Sequence, residues 1–544
     1  MPFSSNSGKE YIKSLNLTGK TILDIGCGTG TYRDMFPNLG QHWTAVEIWQ
    51  PYVEKYQLHD KYDSVIVADV REWIPEQKYD VCFCGDILEH MTEEQAVAVF
   101  KKLKEHCDTV VVSIPLGHYP QEEYDGNPYE AHVDDNWTHD RVTQAFGKYK
   151  QHHIDNEIGV YLYKKLKIAV YAISKNEEEF VDRFCNSAKD ADLVLIADTG
   201  STDDTVARAI QNGVVVHDIC ISPWRFDKAR DTALAMIPRD FDICISLDLD
   251  EVMMDGWRAE IERVWQANTT RLRYQFDWGC GISFMYEKIH HRHGYHWHHP
   301  VHEYPRPDGR ITEIYAQTDM LLVKHLPDNT KSRGQYMPLL ELAVKEDPIC
   351  PRNAFYHARE LTFYARWQEA ITALNRYLAL PGATWITERG YAMRLLGKSH
   401  ENLGQIYEAN KWYQLATIEC PTSREPWIDL SVFAYMQRDW NLSYYTAMKA
   451  LSIKNKELVY TMDPSAWGEK PYMYASIAAW NLGKHEEARQ LNEEALKFAP
   501  TDALLLKNRE AMNDGNDRDG SEIEQSRGTL RPALRPNQCE IETA

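Results

Sequence analysis

The sequence predicts two α/β domains in series, then an all-α repeat region and a polar tail. Three observations carry that fold class. Short apolar runs alternate with amphipathic segments over residues 18–166, and the alternation restarts at Lys167 and continues to 335. Beyond 335 the strand-like runs cease, and small residues recur at Ala370, Ala409, Ser443 and Ala488, spaced 39, 34 and 45 residues apart. From Asp514 (DGNDRDGSEIEQSRG) the chain is polar and contains Gly and Pro, the composition of a disordered tail. The domains are therefore read as 1–166, 167–335, 336–510 and 511–544. VYLYKK and KIAVYAIS abut with no Gly/Ser linker, so the first two domains are expected to hold a fixed relation.

Composition bounds the function. The 544 residues suit three or four domains. With 60 Lys+Arg against 81 Asp+Glu, the net charge of −21 argues against tight non-specific binding to nucleic acid, which needs clustered cations. It leaves open an enzyme acting on a nucleotide or a base. No run of 18 apolar residues exists, so no membrane span is expected. The segment MPFSSNSGKEYIK lacks the apolar stretch of a signal peptide. The eleven Cys, several in apolar runs (Cys82, Cys84, Cys244), read as buried reduced thiols; a cytoplasmic location is expected.

In the first domain, TILDIGCGTG reads as a strand and a tight turn. Gly26, Gly28 and Gly30 let the backbone approach a ligand and adopt positive φ. WTAVEI ends in Glu47, an acid placed for ribose hydroxyls, and SVIVADV ends in Asp69, placed for an adenine amino group. YDVCFCGDILEHM carries Asp86, Glu89 and His90 just past a fourth strand. All these groups fall beyond the carboxyl ends of the strands, where open α/β sheets bind ligands. Over residues 18–165 the chain resembles a class I S-adenosylmethionine-dependent methyltransferase of Rossmann-like fold. The resemblance implies that Asp24 and the glycines border the methionine part of the cofactor, with Glu47 on ribose, Asp69 near adenine and Asp86 in the cofactor site. The stretch IPLGHYPQEEYDGNPYEAHVDDNWTHD is similar to the acceptor-side loop of small-molecule methyltransferases, which makes Glu130 and His132 candidate base or acceptor contacts.

In the second domain, KIAVYAISKNEEEF is a strand followed by Asn176 and Glu177 at a helix start. DLVLIADTGSTDDT is a strand ending at Asp198, with a turn that opens a helix. FDICISLDLDEVM places Asp248 and Asp250 at i and i+2; on an extended strand the two carboxylates point the same way and suit a hard cation that holds a diphosphate. ISKNEE, ADTGSTDDT, WRFDKARD and LDLDEVM together resemble a family-2 glycosyltransferase with the GT-A fold. The resemblance implies a nucleotide-sugar donor, UDP-linked by preference, with Asn176, Glu177 and Asp198 on the nucleotide and Arg230 on the diphosphate. Asp248 and Asp250 hold ribose and a Mn²⁺ or Mg²⁺ ion. An inverting mechanism then needs one base. Val301-His302-Glu303 resembles the VHE element of the subfamily, so Glu303 is the candidate base with His302 beside it, and His325 completes the metal shell. Lys331 and Arg333 are candidate phosphate contacts. The His-rich run from His290 to His302 also admits zinc, but histidine spacing alone is non-diagnostic and no Cys lies nearby in sequence.

Five residues before each recurrent small position lie Ala365, Gly404, Arg438 and Gly483; twelve after it lie Gly382, Pro421, Asn455 and Pro500. That resembles four degenerate tetratricopeptide units, with small residues where paired helices touch and with Trp412, Tyr413, Tyr444 and Tyr445 filling the core. A glycosyltransferase followed by such repeats resembles the enzymes related to bacteriocin S-glycosyltransferases, which implies repeats that bind the acceptor or dimerise the enzyme. The expected function is a bifunctional enzyme. It transfers a sugar to an acceptor (glycan, peptide or protein, or modified nucleotide) and methylates the sugar or that acceptor. The alternatives are a phage-type nucleic-acid base glycosyltransferase and a repeat scaffold with relic catalytic domains.

Overall fold

Residues 6–15, 17–147, 149–155, 158–266, 268–327 and 334–513 are described in a computed structural model. The chain forms two compact units, Met1–Leu166 with Gln266–Asn268, and Lys167–Trp265 with Thr269–Ala544.

The first unit is built on a seven-stranded sheet. Its strands are β1 (Thr21–Ile25), β2 (His42–Glu47), β3 (Ser64–Val67), β4 (Tyr79–Gly85) and β5 (Cys107–Pro115); a short ribbon of β6 (Gly117–His118) and β7 (Asn136–Trp137) precedes β8 (Gln151–Ile154) and β9 (Ile158–Lys164). The order is β3-β2-β1-β4-β5-β9-β8. The first five strands are parallel, and β9 runs antiparallel to β5 and to β8. The central strands are continuous apolar runs because helices cover both faces: Leu23, Ile25, Cys82 and Cys84 face one core, Ile22, Val81 and Phe83 the other. This is a Rossmann-like fold, with the strand order reversing between β1 and β4.

The second unit opens on a mixed eight-stranded sheet. Its strands are β10 (Ile168–Ser174), β11 (Leu193–Asp198), β12 (Val215–Asp218), β13 (Ile243–Ser246), β14 (Glu251–Met253), β15 (Arg271–Gly279), β16 (Ile282–His291) and β19 (Tyr315–His325); β17 (Tyr295–His298) and β18 (Tyr304–Pro307) form a separate ribbon. The order is β12-β11-β10-β13-β16-β15-β19-β14, parallel from β12 to β13. Asp248 and Asp250 do not lie on an extended strand. β13 ends at Ser246, and the Glu251 amide closes a turn on the Asp248 carbonyl, so the two carboxylates diverge to different partners. Ten α-helices follow among the described residues, from Tyr336–Glu346 to Ala503–Asn513. The first of them share a core with the middle region, where Val301, Trp224 and Phe226 pack with Leu339, Phe355 and Tyr377.

The small-residue pattern has two distinct causes. Ala370, Ala409, Ser443 and Ala488 are fully buried one turn into their helices. Their partners stand twelve residues earlier, at Ala358, Gly397, Ser431 and Ser476, all buried. Ser431 Oγ donates to the Ser443 carbonyl (2.8 Å) and Ser476 Oγ to the Ala488 carbonyl (2.7 Å) across the helix pair. The residues five positions earlier answer to backbone conformation instead. Ala365, Gly404, Arg438 and Gly483 sit in the inter-helix turns with φ of 54, 71, 61 and 78°. The position therefore selects for left-handed backbone rather than for size, and an arginine occupies it once. Tyr413 is buried and Trp412 and Tyr444 half-buried, but Tyr445 is exposed, contrary to a core role for all four aromatics. Residues 511–513 continue the last helix; the expected disordered segment from 514 lies outside the described residues. Seven cysteines, among them Cys82, Cys84 and Cys244, are buried free thiols. Cys220 is exposed, Cys350 half-buried and Cys280 disulfide-bonded, so the reading of all as buried reduced thiols fails at these three. No helix among the described residues is long and apolar enough to cross a membrane.

Candidate functional site

In the first unit, β1 ends in a turn where Gly26, Gly28 and Gly30 all have positive φ (59, 51 and 82°). A Cβ at Gly28 would meet only the Gly26 carbonyl oxygen, at 3.9 Å, so the outer face of the turn is open. The Gly28 amide donates to Glu47 Oε2 (3.1 Å), and the Trp49 amide donates to Glu47 Oε1 (3.0 Å). Burial raises the Glu47 carboxyl above its ordinary value, against these two amides. Asp24 is buried under the turn and accepts from Tyr62 Oη (2.6 Å); burial pushes its carboxyl up to about 7. Asp86, with φ 53°, accepts from Ser113 Oγ (3.0 Å), and burial pushes it up to about 6. These residues gather at the carboxyl ends of β1, β2 and β4. Asp69 lies two residues past β3, and its carboxylate is taken by Arg71, which donates to both oxygens and holds it below the usual range.

The loop after β5 returns to this edge. The Val133 and Asp134 amides donate to the Glu89 carbonyl (2.9 and 3.0 Å), and Arg141 ties Asp134 to Glu93. Glu130 thereby enters the field of both Glu47 and Glu89 and bonds to Tyr52, while burial raises its carboxyl. His132 stacks edge-on to His90 at 4.9 Å, and burial lowers the pKa of both rings. Glu89 and His90, which the sequence places at the ligand-binding ends of the strands without a specific role, come together here with His132.

In the second unit, several predicted nucleotide contacts serve the loops that carry them. Asp198 accepts from Ser174 Oγ, Ser201 Oγ and the Gly200 and Ser201 amides (2.6–2.9 Å); burial opposes its charge, but these bonds outweigh it and hold its pKa low. Asn176, with φ 54°, accepts from the Thr202 amide (2.7 Å), and the Glu177 amide donates to Thr205 Oγ1 (2.7 Å). Both pin the end of β10 to the turn after β11.

A charge network closes the other side. Buried Arg230 donates to Glu303 (2.5 Å), Ser246 (3.1 Å) and Asp248 (2.7 Å), with its guanidinium over Trp297. Buried Lys288, absent from the sequence reading because a lone lysine on a strand carries no signal, donates to Asp248 and Glu251, both at 3.0 Å. Burial alone would raise the Asp248 carboxyl, but Arg230 and Lys288 hold it far below the carboxylate range. Asp250 instead faces His325, 3.4 Å away. Burial would lower His325, but the Asp250 carboxylate outweighs it and raises the ring's pKa. The candidate base Glu303 is thus the ion-pair partner of Arg230. His302 lies flat on Tyr356 at 3.9 Å. Around these groups opens a cavity of about 1690 Å³, whose far wall is Arg352, Tyr356 and Arg359 on the helix Pro351–Phe363, with Trp385 and Tyr460 from the segments between later helices. Nothing in the sequence pattern marked these five.

The His-rich run does not converge. His290 bonds to Tyr171 Oη, His293 to the Arg239 carbonyl, and His299 to Asn353 and, at 3.6 Å, to Cys350 Sγ, a cysteine distant in sequence that the fold brings close. Lys331 and Arg333 lie outside the described residues.

Residues 22–109 match the family model described as a methyltransferase domain. Among curated proteins, a ubiquinone biosynthesis O-methyltransferase from Paraburkholderia phytofirmans is 32% identical over 103 residues, 18% of this chain and 41% of that protein. One of the same description from Pseudomonas syringae pv. tomato is 32% identical over 89 residues, covering 15% and 38%. The chain spans about two-fifths of the length of the curated relatives it matches. Among solved structures, a S-adenosylmethionine-dependent methyltransferase from Clostridium acetobutylicum aligns at 14% identity over 30% of this chain and 93% of that one, with a TM-score of 0.25.

Proposed function

We propose that the first unit transfers a methyl group from S-adenosylmethionine to an oxygen nucleophile. The observation that carries the reading is the Gly26–Gly30 turn, open on its outer face, with a Gly28 amide and the buried Glu47 carboxylate meeting beyond the carboxyl ends of β1 and β2. The methyltransferase-domain match over 22–109 supports it. In this reading Glu47 receives the ribose hydroxyls, and Asp86 and Glu130 border the reacting centre. The second unit is read as a glycosyltransferase with a GT-A-like middle region and tetratricopeptide-like helices. It takes a nucleotide-sugar, UDP-linked by preference, with Mn²⁺ or Mg²⁺ held at Asp250 and His325 and the acceptor (glycan, peptide or modified nucleotide) against the far wall. The cavity that joins the acidic turn to Arg352 and Tyr356 favours this second reading. A cytoplasmic location and a partner or second copy on the repeats belong to the same proposal.

Calorimetric titration of the full chain tests both parts. S-adenosylhomocysteine binding that Glu47→Ala weakens supports the first, and its absence overturns it. Mn²⁺-dependent binding of one nucleoside diphosphate, lost in Asp250→Ala, supports the second. No binding of either ligand leaves the scaffold reading in its place.

A further inference from the structure

Among the described residues, one group of side chains has the composition and spacing of a metal-binding set: Glu89, His90 and His132, whose ligand atoms all lie within 4.8 Å of one another. Glu89 and His90 occupy the single turn after β4, and His132 arrives on the loop that returns from β5. The polar accounting is what singles the group out. Glu89 is 1% exposed, and neither of its carboxylate oxygens has a hydrogen-bond partner; His132 Nε2 is likewise buried without one. Buried polar groups are almost always satisfied, so three unsatisfied ligand atoms in one place ask for an explanation.

The outward sides of both rings are, by contrast, well anchored. His132 Nδ1 bonds to the Tyr119 carbonyl (2.6 Å) and His90 Nδ1 to the Ala131 carbonyl (3.1 Å). A carbonyl only accepts, so Nδ1 carries the hydrogen in each ring, and in a neutral imidazole Nε2 is left with its lone pair. A backbone carbonyl fixing the tautomer and angle of a ring is the usual support behind a metal-bound histidine. The two amides that donate to the Glu89 carbonyl lock the returning loop in register, so His132 is not free to drift away.

We propose that Glu89, His90 and His132 bind a first-row divalent cation. Two histidines and one carboxylate suit Zn²⁺, Fe²⁺ or Mn²⁺ and leave coordination positions for oxygen ligands. The site lies at the same strand ends as the glycine turn, with Asp86 three residues before Glu89 and Glu130 between it and Glu47 in electrostatic reach. Its role, which rests on the methyl-transfer reading, is to bind the acceptor oxygen and acidify its proton. That proton passes to Glu130, the oxygen forms a bond to the methyl carbon, and the C–S bond breaks with its electron pair retained by sulfur. The binding site itself does not depend on that role.

The test uses Co²⁺, whose visible absorption reports nitrogen and oxygen ligation, on the full chain stripped with chelator. An Asp250→Asn background removes the cation candidate in the second unit. One equivalent of Co²⁺ is expected to give a visible band that Zn²⁺ displaces. Glu89→Gln and His132→Ala are each expected to weaken binding at least 100-fold while keeping the thermal transition of the first unit. Equal Co²⁺ affinity in both folded variants overturns the proposal. So does the absence of any band at millimolar Co²⁺ in the Asp250→Asn chain, whatever the ligand variants do. Co²⁺ binding with no dependence of methyl transfer on the ion refutes the catalytic role and leaves the site; failure to bind S-adenosylhomocysteine refutes the methyl-transfer reading alone.

Discussion

Lys288→Met measures how the charged network around Asp248 is held together. Two cations, Arg230 and Lys288, face three carboxylates, Asp248, Glu251 and Glu303, all within direct contact distances. Lys288 is 7% exposed and touches two of the acids at 3.0 Å. At an effective dielectric of about 20, each contact carries roughly 5 kcal/mol of gross attraction, most of which offsets the burial of the charges. Removing one member of such a network leaves charge uncompensated, and the net loss is about 3–5 kcal/mol. Methionine keeps the volume of the stem, so packing contributes little. Burial already raises the Glu251 carboxyl, and loss of Lys288 raises it further. A carboxyl raised in the folded state destabilises the fold as pH rises above its unfolded value, so the deficit is largest at pH 8 and shrinks toward pH 5. Lys288→Met/Glu251→Gln removes the stranded charge and is expected to recover most of the loss. Urea unfolding followed by tryptophan fluorescence reads both effects. A single-variant cost below about 1 kcal/mol, or a double variant no more stable than the single, would refute the assignment of Lys288 as the cation the network requires.

Asp24→Asn tests a second buried acid. Its carboxyl is raised by burial from 3.8 to about 7, so the native state loses stability as pH rises through that interval; at ~1.4 kcal/mol per pH unit the ceiling is about 4 kcal/mol. Asparagine, which keeps an acceptor for Tyr62, is expected to raise the thermal midpoint at pH 8 and to leave it unchanged at pH 4. Glu47→Ala removes an anionic acceptor from the glycine turn and is expected to weaken S-adenosylhomocysteine binding about 10- to 100-fold by calorimetry. In the C-terminal helices, Ala409→Leu overpacks a fully buried contact and should cost about 1–3 kcal/mol, whereas Gly404→Val, at φ 71° with open space around it, should cost about 1–2 kcal/mol through backbone strain alone. Glu303→Gln separates two roles. If Glu303 is the base, donor hydrolysis falls while Mn²⁺-dependent nucleotide binding persists; if it chiefly positions Arg230, both fall together.

The Rossmann-like half was legible because buried parallel strands write themselves as continuous apolar runs, and glycines at alternate positions after β1 have few other reasons to be there. The helical region was legible from Ala370, Ala409, Ser443 and Ala488. The partner positions Ala358, Gly397, Ser431 and Ser476 were equally small and equally regular, but a period is searched from one anchor, and they fell one helix before it. The acids of the second unit were harder. Asp248 and Asp250 share a motif, yet a turn after Ser246 sends one to Arg230 and Lys288 and the other to His325. That divergence is set by two cations, one 18 residues before Asp248 and one 40 residues after it, and local spacing does not report it. The far wall of the cavity left little local trace either: Arg352 and Tyr356 are one turn apart on the helix Pro351–Phe363, but Tyr460 joins them only through tertiary packing.

Polar accounting then separates scaffold from site within these motifs. Asp198 and Asn176 resemble ligand contacts by type and position, but their acceptors are already filled by the Ser174, Ser201 and Thr202 groups around them. A group satisfied by its own loops gains little from a ligand, because binding would exchange one hydrogen bond for another. Their contribution to any nucleotide site is therefore the shape of the two loops they tie together. Glu47 is intermediate: its two amide bonds leave lone pairs over, since a carboxylate has about four acceptor sites. Glu89 stands at the other extreme, a buried carboxylate with no partner, facing a ring nitrogen in the same condition. Folding such a group costs about 1–3 kcal/mol or more unless something binds it. Asp198, satisfied four times over, and Glu89, left bare beyond the end of β4, mark the two ends of that range among the acids of these motifs.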